Sequence, residues 1–260
     1  MTVPKLLENK TALVLGVANK RSIAWAIANR FHEAGARLAI TYQDERLRDK
    51  VEPLVEGISD CLLIQCDLTK PEEIEETFAK IDSEFDGLDI LVHSVAFALK
   101  DELEGRFSDT SPEGFQVAHN VSSYTLTSTA RAARPLMEKK GGGSILAMTY
   151  YGSTRVIPHY NVMGVAKASL EASIRYLASD FGEFNIRVNG LSPGPLNTLA
   201  ARGITGFPKM LKYVAEHSPL RKNTELDEVA DTAMFIASDL ARGITGEIIH
   251  IDGGYHIVGM

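Results

Sequence analysis

Three tyrosines, one serine and one lysine fall within residues 149–167, TYYGSTRVIPHYNVMGVAK. A phenol and an ammonium at helical spacing suit hydride-transfer chemistry. The hydroxyl donates toward an oxygen that gains negative charge, and the ammonium keeps positive charge close by. Lys167 follows Tyr160 by seven residues, where four would be usual. At 3.6 residues per turn, four residues advance about 400° and seven about 700°. Both spacings return the lysine to the tyrosine's face, within about 40° and 20° of it.

Such a pair needs a scaffold. Seven short, nearly continuous apolar runs read as strands covered on both faces: Thr11–Leu15, Arg37–Tyr42, Cys61–Gln65, Asp89–Ser94, Ser144–Thr149, Arg187–Ser192 and Glu247–Ile251. Amphipathic stretches between them predict helices over Ser22–Ala34, Pro71–Phe85, Ser111–Met137, His159–Phe181 and Leu226–Ser238. Ser111 is placed to cap the third, with Pro112 in its first turn. Strand alternating with helix implies right-handed crossovers and a doubly wound α/β fold. Its seven-stranded parallel sheet carries helices on both faces. Residues 1–260 show no linker composition, no internal repeat and no low-complexity tract, so a single domain is expected. Ligands on such sheets bind at the carboxyl ends of the strands.

The strand ends carry suitable residues. After the first comes LGVANKRSIAWAIANRF, in which Gly16 turns the chain and Ser22 and Ile23 open a helix. The free N–H groups of that helix can hold a pyrophosphate. Ala18, Lys20 and Ser22 stand where a dinucleotide fingerprint more often has glycines. After the second strand, Gln43 can bond an adenosine ribose, while Asp44 and Glu45 would repel a 2′-phosphate. NADH is therefore favoured over NADPH, with Arg46 and Arg48 read as solvated helix charges. After the third strand, Asp67 can accept from an adenine amino group or cap its own turn, with Leu68 packing on the ring. At the fourth strand end, Ser94, Val95 and Ala96 are small enough for backbone to approach a cofactor. His93, inside the apolar run, reads as a packed histidine.

Bulk properties exclude several classes. A net charge of −7 opposes nonspecific nucleic-acid binding. No apolar run approaches a membrane span, and the N-terminal apolar stretch reads as a strand, so a cytoplasmic location is expected. Cys61 and Cys66 lie five apart on one strand and point to opposite faces, as small core residues without a metal or redox role.

With GVANKRSIA, HSVAFA, YNVMGVAKASLEASIRYLA, LSPGPLNTLAA and the ending GITGEIIHIDGGYHI, the chain resembles the short-chain dehydrogenase/reductase superfamily. From about Leu7 to Met260 it looks most like the enoyl-[acyl-carrier-protein] reductases. The resemblance implies a Rossmann-type domain that reduces enoyl thioesters with NADH in fatty-acid elongation, an activity of the EC 1.3.1.9 type. In it Tyr160 would be the donor to the thioester oxygen, and Lys167 would bond the nicotinamide ribose. Tyr150 would orient the acyl group or relay protons, and Ala98 would lie near the thioester. Leu196 and Thr198 would touch the nicotinamide carboxamide and pyrophosphate. Residues at about 194–215 would form a lid over the substrate. Gly164 occupies the superfamily's usual lysine position, and Ala147 the position of the serine that polarises ketones. These departures favour an enoyl substrate over the alternative, a dehydrogenase of carbonyls or alcohols. A regulator that binds nucleotide without catalysis is opposed by the intact Tyr160–Lys167 pair. Tyr151 reads as structural, and Ser153, seven residues before Tyr160, is not the polarising serine. The implied partner is an acidic acyl carrier protein docking on basic residues near the lid: Lys209, with Arg202, Lys212, Arg221 and Lys222 nearby. Thr205 and Pro208 stand where relatives carry basic side chains. A homotetramer is implied as well.

Overall fold

The structure, a computed structural model, describes residues 3–198 and 206–259. Its strands are β1 (Thr11–Leu15), β2 (Arg37–Tyr42), β3 (Leu62–Gln65), β4 (Ile90–His93), β5 (Gly143–Met148), β6 (Ile186–Pro193) and β7 (Ile248–Ile251). All pair in parallel, in the order β3-β2-β1-β4-β5-β6-β7. The sheet reverses its direction of winding between β1 and β4, the place where a doubly wound sheet opens a crevice.

The helices are α1 (Ile23–Glu33), α2 (Glu45–Val55), α3 (Pro71–Phe85), α4 (Pro112–His119), α5 (Thr125–Lys139), α6 (Asn161–Phe181), α7 (Phe207–His217) and α8 (Leu226–Ala237). Alternation along β1 shows how they divide. Ala12 and Val14 point into a layer with Ile27 and Phe31 of α1, Val51 of α2 and Val229 and Ala233 of α8. Leu13 and Leu15 point into the opposite layer, with Phe78 and Ile81 of α3, Leu126 of α5 and Leu170 and Ile174 of α6. Parallel strands buried on both faces need apolar residues at every position, and all five residues of β1 are buried. Cys61 packs on the first layer and Cys66 in the second. Both thiols are free, and burial pushes that of Cys61 up to about 11.

Three differences from the sequence reading have physical causes. The helix expected over 111–137 is broken by a π-helical turn, Asn120–Tyr124. There the Ser122 hydroxyl accepts from the Phe97 N–H at 2.9 Å and donates to the Phe97 carbonyl at 3.0 Å. The widened turn thus ties the chain after β4 to the helical layer. Helix α2 was expected only through the reading of Arg46 and Arg48 as helix charges and was given no bounds, since only Val51 of its residues is buried and its charges hide its period. Helix α7 forms within the segment expected as a lid. Among the described residues no helix is long and apolar enough to cross a membrane.

Candidate active site

A cavity of about 540 Å³ runs along the carboxyl ends of β1 to β5. One end is walled by Thr41, Gln43, Arg46, Asp67 and Leu68, and the middle by Gly16, Ser22, Ile23, Ser94 and Val95. The far end is closed by Thr149, Tyr150, Tyr160, Lys167 and Thr198.

The turn after β1 manages without a glycine-rich sequence because Asn19 organises it. Its side chain accepts from the Arg21 N–H at 2.8 Å, and its carbonyl accepts from the Ser22 N–H at 3.0 Å and hydroxyl at 2.7 Å. Ser22 then caps α1, accepting from the Trp25 N–H at 3.4 Å. The one glycine the turn requires is Gly16. Its φ is +90°, and a Cβ there would lie 2.4 Å from the Ser94 carbonyl oxygen. The backbones after β1 and β4 therefore meet at the switch point and leave the mouth of α1 facing the cavity. Volume, lining and an open helix N-terminus fit an extended anionic dinucleotide.

At the β2 end, Asp44 caps α2 through the Leu47 N–H at 3.2 Å and holds Arg46 at 2.6 Å. Hydrogen bonding from Arg46 keeps the Asp44 carboxyl below its ordinary range. Arg46, expected as a solvated helix charge, lies on the cavity wall with its guanidinium engaged by that carboxylate. Asp67 accepts from the Thr69 N–H at 3.0 Å and hydroxyl at 2.8 Å, so it caps its turn while lining the cavity. His93 lines neither chamber. Its Nε2 pairs with the Thr125 hydroxyl at 2.8 Å, and burial, helped by Lys167, lowers its pKa to about 3, so it is neutral.

The tyrosine–lysine pair is fixed differently from a simple helical spacing. Helix α6 begins at Asn161, so Tyr160 sits in the capping position ahead of it and not on its second residue. The flanking His159 and Asn161 both have left-handed backbone, with φ of 61° and 36°. The Tyr160 ring rests on the turn that follows Tyr150, where a Cβ on Gly152 would lie 2.5 Å from the ring. A side chain on Gly164 would meet the Gly152 carbonyl oxygen at 2.8 Å, so this backbone has no room for a lysine at the shorter spacing. Lys167, one turn on, is 4% exposed and donates to the Met148 carbonyl at 2.7 Å. Burial lowers its pKa to about 8, opposed by the charge of Glu171. Burial first, then Tyr150 and Glu171, raises the Tyr160 pKa. The phenol thus keeps its proton, and Lys167 does not dominate its titration. Tyr150, in edge contact with Tyr160 at 5.0 Å between ring centres, is pushed up to about 12 by burial.

These two tyrosines also wall a second cavity of about 480 Å³. Its lining is apolar: Phe97, Ala98, Leu103, Met163, Phe207 and Met210 among others. Ala98 and Leu196 belong to this chamber and not to the first, whereas Thr198 borders both. Leu196, expected against the nicotinamide, lines the apolar chamber near the wall that the two cavities share. Tyr151 borders neither and directs its hydroxyl to the His256 carbonyl at 3.4 Å. Of the segment expected as a lid, residues 199–205 lie outside the described residues, Arg202 and Thr205 with them. Phe207 and Met210 of α7 do face the apolar chamber. Lys209 is exposed on α7, while Lys212 pairs with Glu216 and Lys222 with Glu228. The Arg221 guanidinium is held by the Glu216 carbonyl.

Sequence reasoning missed most of the apolar chamber. Phe97, Leu103, Met163, Phe207 and Met210 are ordinary apolar residues from four separate segments, and no spacing links them. It also missed Glu171, whose signal was a charged residue one turn beyond Lys167 on a face otherwise apolar.

Comparison with known proteins places this geometry. The family model described as "Enoyl-(Acyl carrier protein) reductase" matches residues 16–256. The enoyl-[acyl-carrier-protein] reductase [NADH] FabI of Bacillus subtilis is 51% identical, over 96% of this chain and 97% of its own length. An [NADPH] FabI from Staphylococcus aureus is 47% identical, with 97% and 98% covered. The crystal structure of the reductase from Anaplasma phagocytophilum in complex with NAD superposes with a TM-score of 0.95. It is 46% identical and covers 100% of this chain and 98% of that one. Family match, identity and near-complete coverage agree: the chain belongs to the enoyl-(acyl carrier protein) reductase family, within the short-chain dehydrogenase/reductases.

Proposed function

We propose that this protein reduces the trans-2 double bond of enoyl-acyl-carrier-protein thioesters with NADH, in fatty-acid elongation. The observation that carries the reading is the wall shared by the two cavities. One chamber suits a dinucleotide, the other an apolar chain, and two phenols stand between them.

When bound, NADH would supply a hydride to C3 of the enoyl group, and solvent the matching proton at C2. Gly16, Ser22 and Ile23 cradle its pyrophosphate; Gln43, Asp67 and Leu68 take the adenosine; Ser94, Val95 and Thr198 line the remainder. Lys167, which lines the same chamber, would bond a ribose hydroxyl and orient the nicotinamide end. Tyr160 donates to the thioester oxygen, where negative charge collects as the double bond is reduced. A donor aimed at charge that appears only in the transition state lowers the barrier. The raised pKa of Tyr160 suits this role, because a phenolate could not donate. Tyr150 orients the acyl group from the same wall, beside Ala98. Leu196, Phe207 and Met210, which belong to the described part of the expected lid, exclude water along the chain.

NADH is preferred because Asp44 and Glu45 follow Gln43 directly and Arg46 is already bonded to Asp44. The S. aureus relative named for NADPH makes this the sharpest cofactor comparison. The carrier protein docks beside α7, with exposed Lys209 foremost. Exposed Phe115, Tyr124 and Tyr176, on α4, the π turn and α6, support packing between subunits; a cytoplasmic homotetramer is proposed on the family resemblance. Initial rates with a crotonyl and an acetoacetyl thioester, each with NADH and with NADPH, test the reading. Crotonyl turnover with NADH should exceed the other three combinations; faster acetoacetyl turnover would overturn it.

A further inference from the structure

Glu171 is only 7% exposed, yet it carries a carboxyl group, and it lines neither cavity. It follows Lys167 by one turn of α6, so both side chains leave the same face toward the sheet. They engage consecutive residues at the end of β5. The Lys167 ammonium donates to the Met148 carbonyl at 2.7 Å, and the Thr149 hydroxyl donates to the Glu171 carboxylate at 2.6 Å. The next residue is Tyr150, whose ring packs on Tyr160. Met148 and Thr149 both border the dinucleotide chamber, and Thr149 borders the apolar one too.

We propose that Glu171 is a positioning residue for the reduction: its buried carboxylate is the counter-charge of Lys167 and ties the strand end that carries Tyr150 to the helix. A lone buried ammonium sheds its proton to escape desolvation, and a carboxylate one turn away opposes that loss. The charge on Glu171 indeed works against burial at Lys167. The other titratable groups facing the pair do not replace it. His93 of β4 is neutral, and Tyr150 and Tyr160 keep their protons. His250 of β7, itself near Glu171, has its pKa lowered chiefly by burial. The π-helical turn offers the neutral Ser123, bonded to Ser169 at 3.0 Å. The inference rests on the proposed role of Lys167 in holding NADH.

The test follows the Lys167 Nζ resonance of the full chain through a pH titration without cofactor, assigned by its loss in Lys167→Met, beside NADH affinity by fluorescence. Glu171→Gln keeps the shape and can still accept from Thr149. It should lower the Lys167 midpoint by about one pH unit and weaken NADH binding severalfold near pH 8. Thr149→Val keeps the charge, so it should leave the midpoint in place while slowing enoyl turnover. An unchanged midpoint in Glu171→Gln overturns the proposal. Should that variant not fold, the double variant Lys167→Met/Glu171→Gln must be more stable than Lys167→Met alone, because it removes both charges together. Equal or lower stability of the double variant would be equally fatal. If Lys167→Met binds NADH as tightly as the wild type while the midpoint still moves, the role given to Lys167 fails and the pairing with Glu171 stands.

Discussion

The two cavities that meet at Tyr150 and Tyr160 are built by different means. The dinucleotide chamber is walled largely by strand ends and turns: Gly16 against Ser94, the Asn19-organised turn, the Asp67–Thr69 cap. The apolar chamber adds to the ends of β5 and β6 a wall of side-chain volume from the segment after β4, from α6 and from α7. A wall of backbone fixes shape through the fold and tolerates unusual sequence, as the turn without a Gly-rich fingerprint shows. A wall of side chains can be reshaped one residue at a time. Cofactor geometry therefore resists change in this molecule, and acyl-chain preference is open to it.

The largest effect should come from the partition itself. Tyr160→Phe should lower kcat by about 10²–10³-fold while NADH affinity stays within about twofold, read by steady-state rates and cofactor fluorescence. A variant near wild-type activity would break the assignment of that wall. Next is the backbone side. Gly16→Val places a branched side chain at φ +90° against the Ser94 carbonyl. NADH affinity should fall about a hundredfold, with a loss of about 2–4 kcal/mol in urea unfolding.

A pH series gives an intermediate effect with two opposite signs. The Lys167 pKa is lowered by burial from 10.5 to about 8 in the folded protein. Its ammonium therefore fades as pH rises through about 8, and NADH affinity should drop about tenfold between pH 7 and 9.5. Over the window from about 8 to 10.5 the unfolded chain binds the extra proton, so this group's contribution to stability rises with pH. Unfolding of wild type and Lys167→Met at pH 7.5 and 9.5 separates that contribution from the rest. The smallest effect belongs to the side-chain wall. Met210→Ala should change KM for long enoyl chains about two- to fivefold and leave a crotonyl thioester nearly unaffected. Equal effects on both lengths would show that α7 does not line the path of the chain.

The same contrast explains what the sequence disclosed. Thr11–Leu15 and Arg37–Tyr42 were readable to the residue because strands covered on both faces admit few polar positions. Gly16, Ser22, Gln43, Asp67 and Ser94 were readable as cavity-lining residues because the fold places them at strand ends. Helix α6 was readable in type, but the position of Tyr160 ahead of it was not. That depends on left-handed His159 and Asn161 and on the fit of its ring against Gly152. The π turn was hidden as well, since its cause is a bond from Ser122 to Phe97, 25 residues away. Met163 and Met210 gave no signal, because a methionine facing a chamber is written like one facing the core.

The partition of phenols has a further consequence. The two chambers share more than the phenols, since Ile23, Ala96, Phe97 and Thr198 border both as well. Where an occupant of one side changes the affinity of the other, the change must be returned by a common factor, as thermodynamic reciprocity requires. An apolar molecule on one side that tightened the hold on the nucleotide would itself be held more tightly by it, in equal measure.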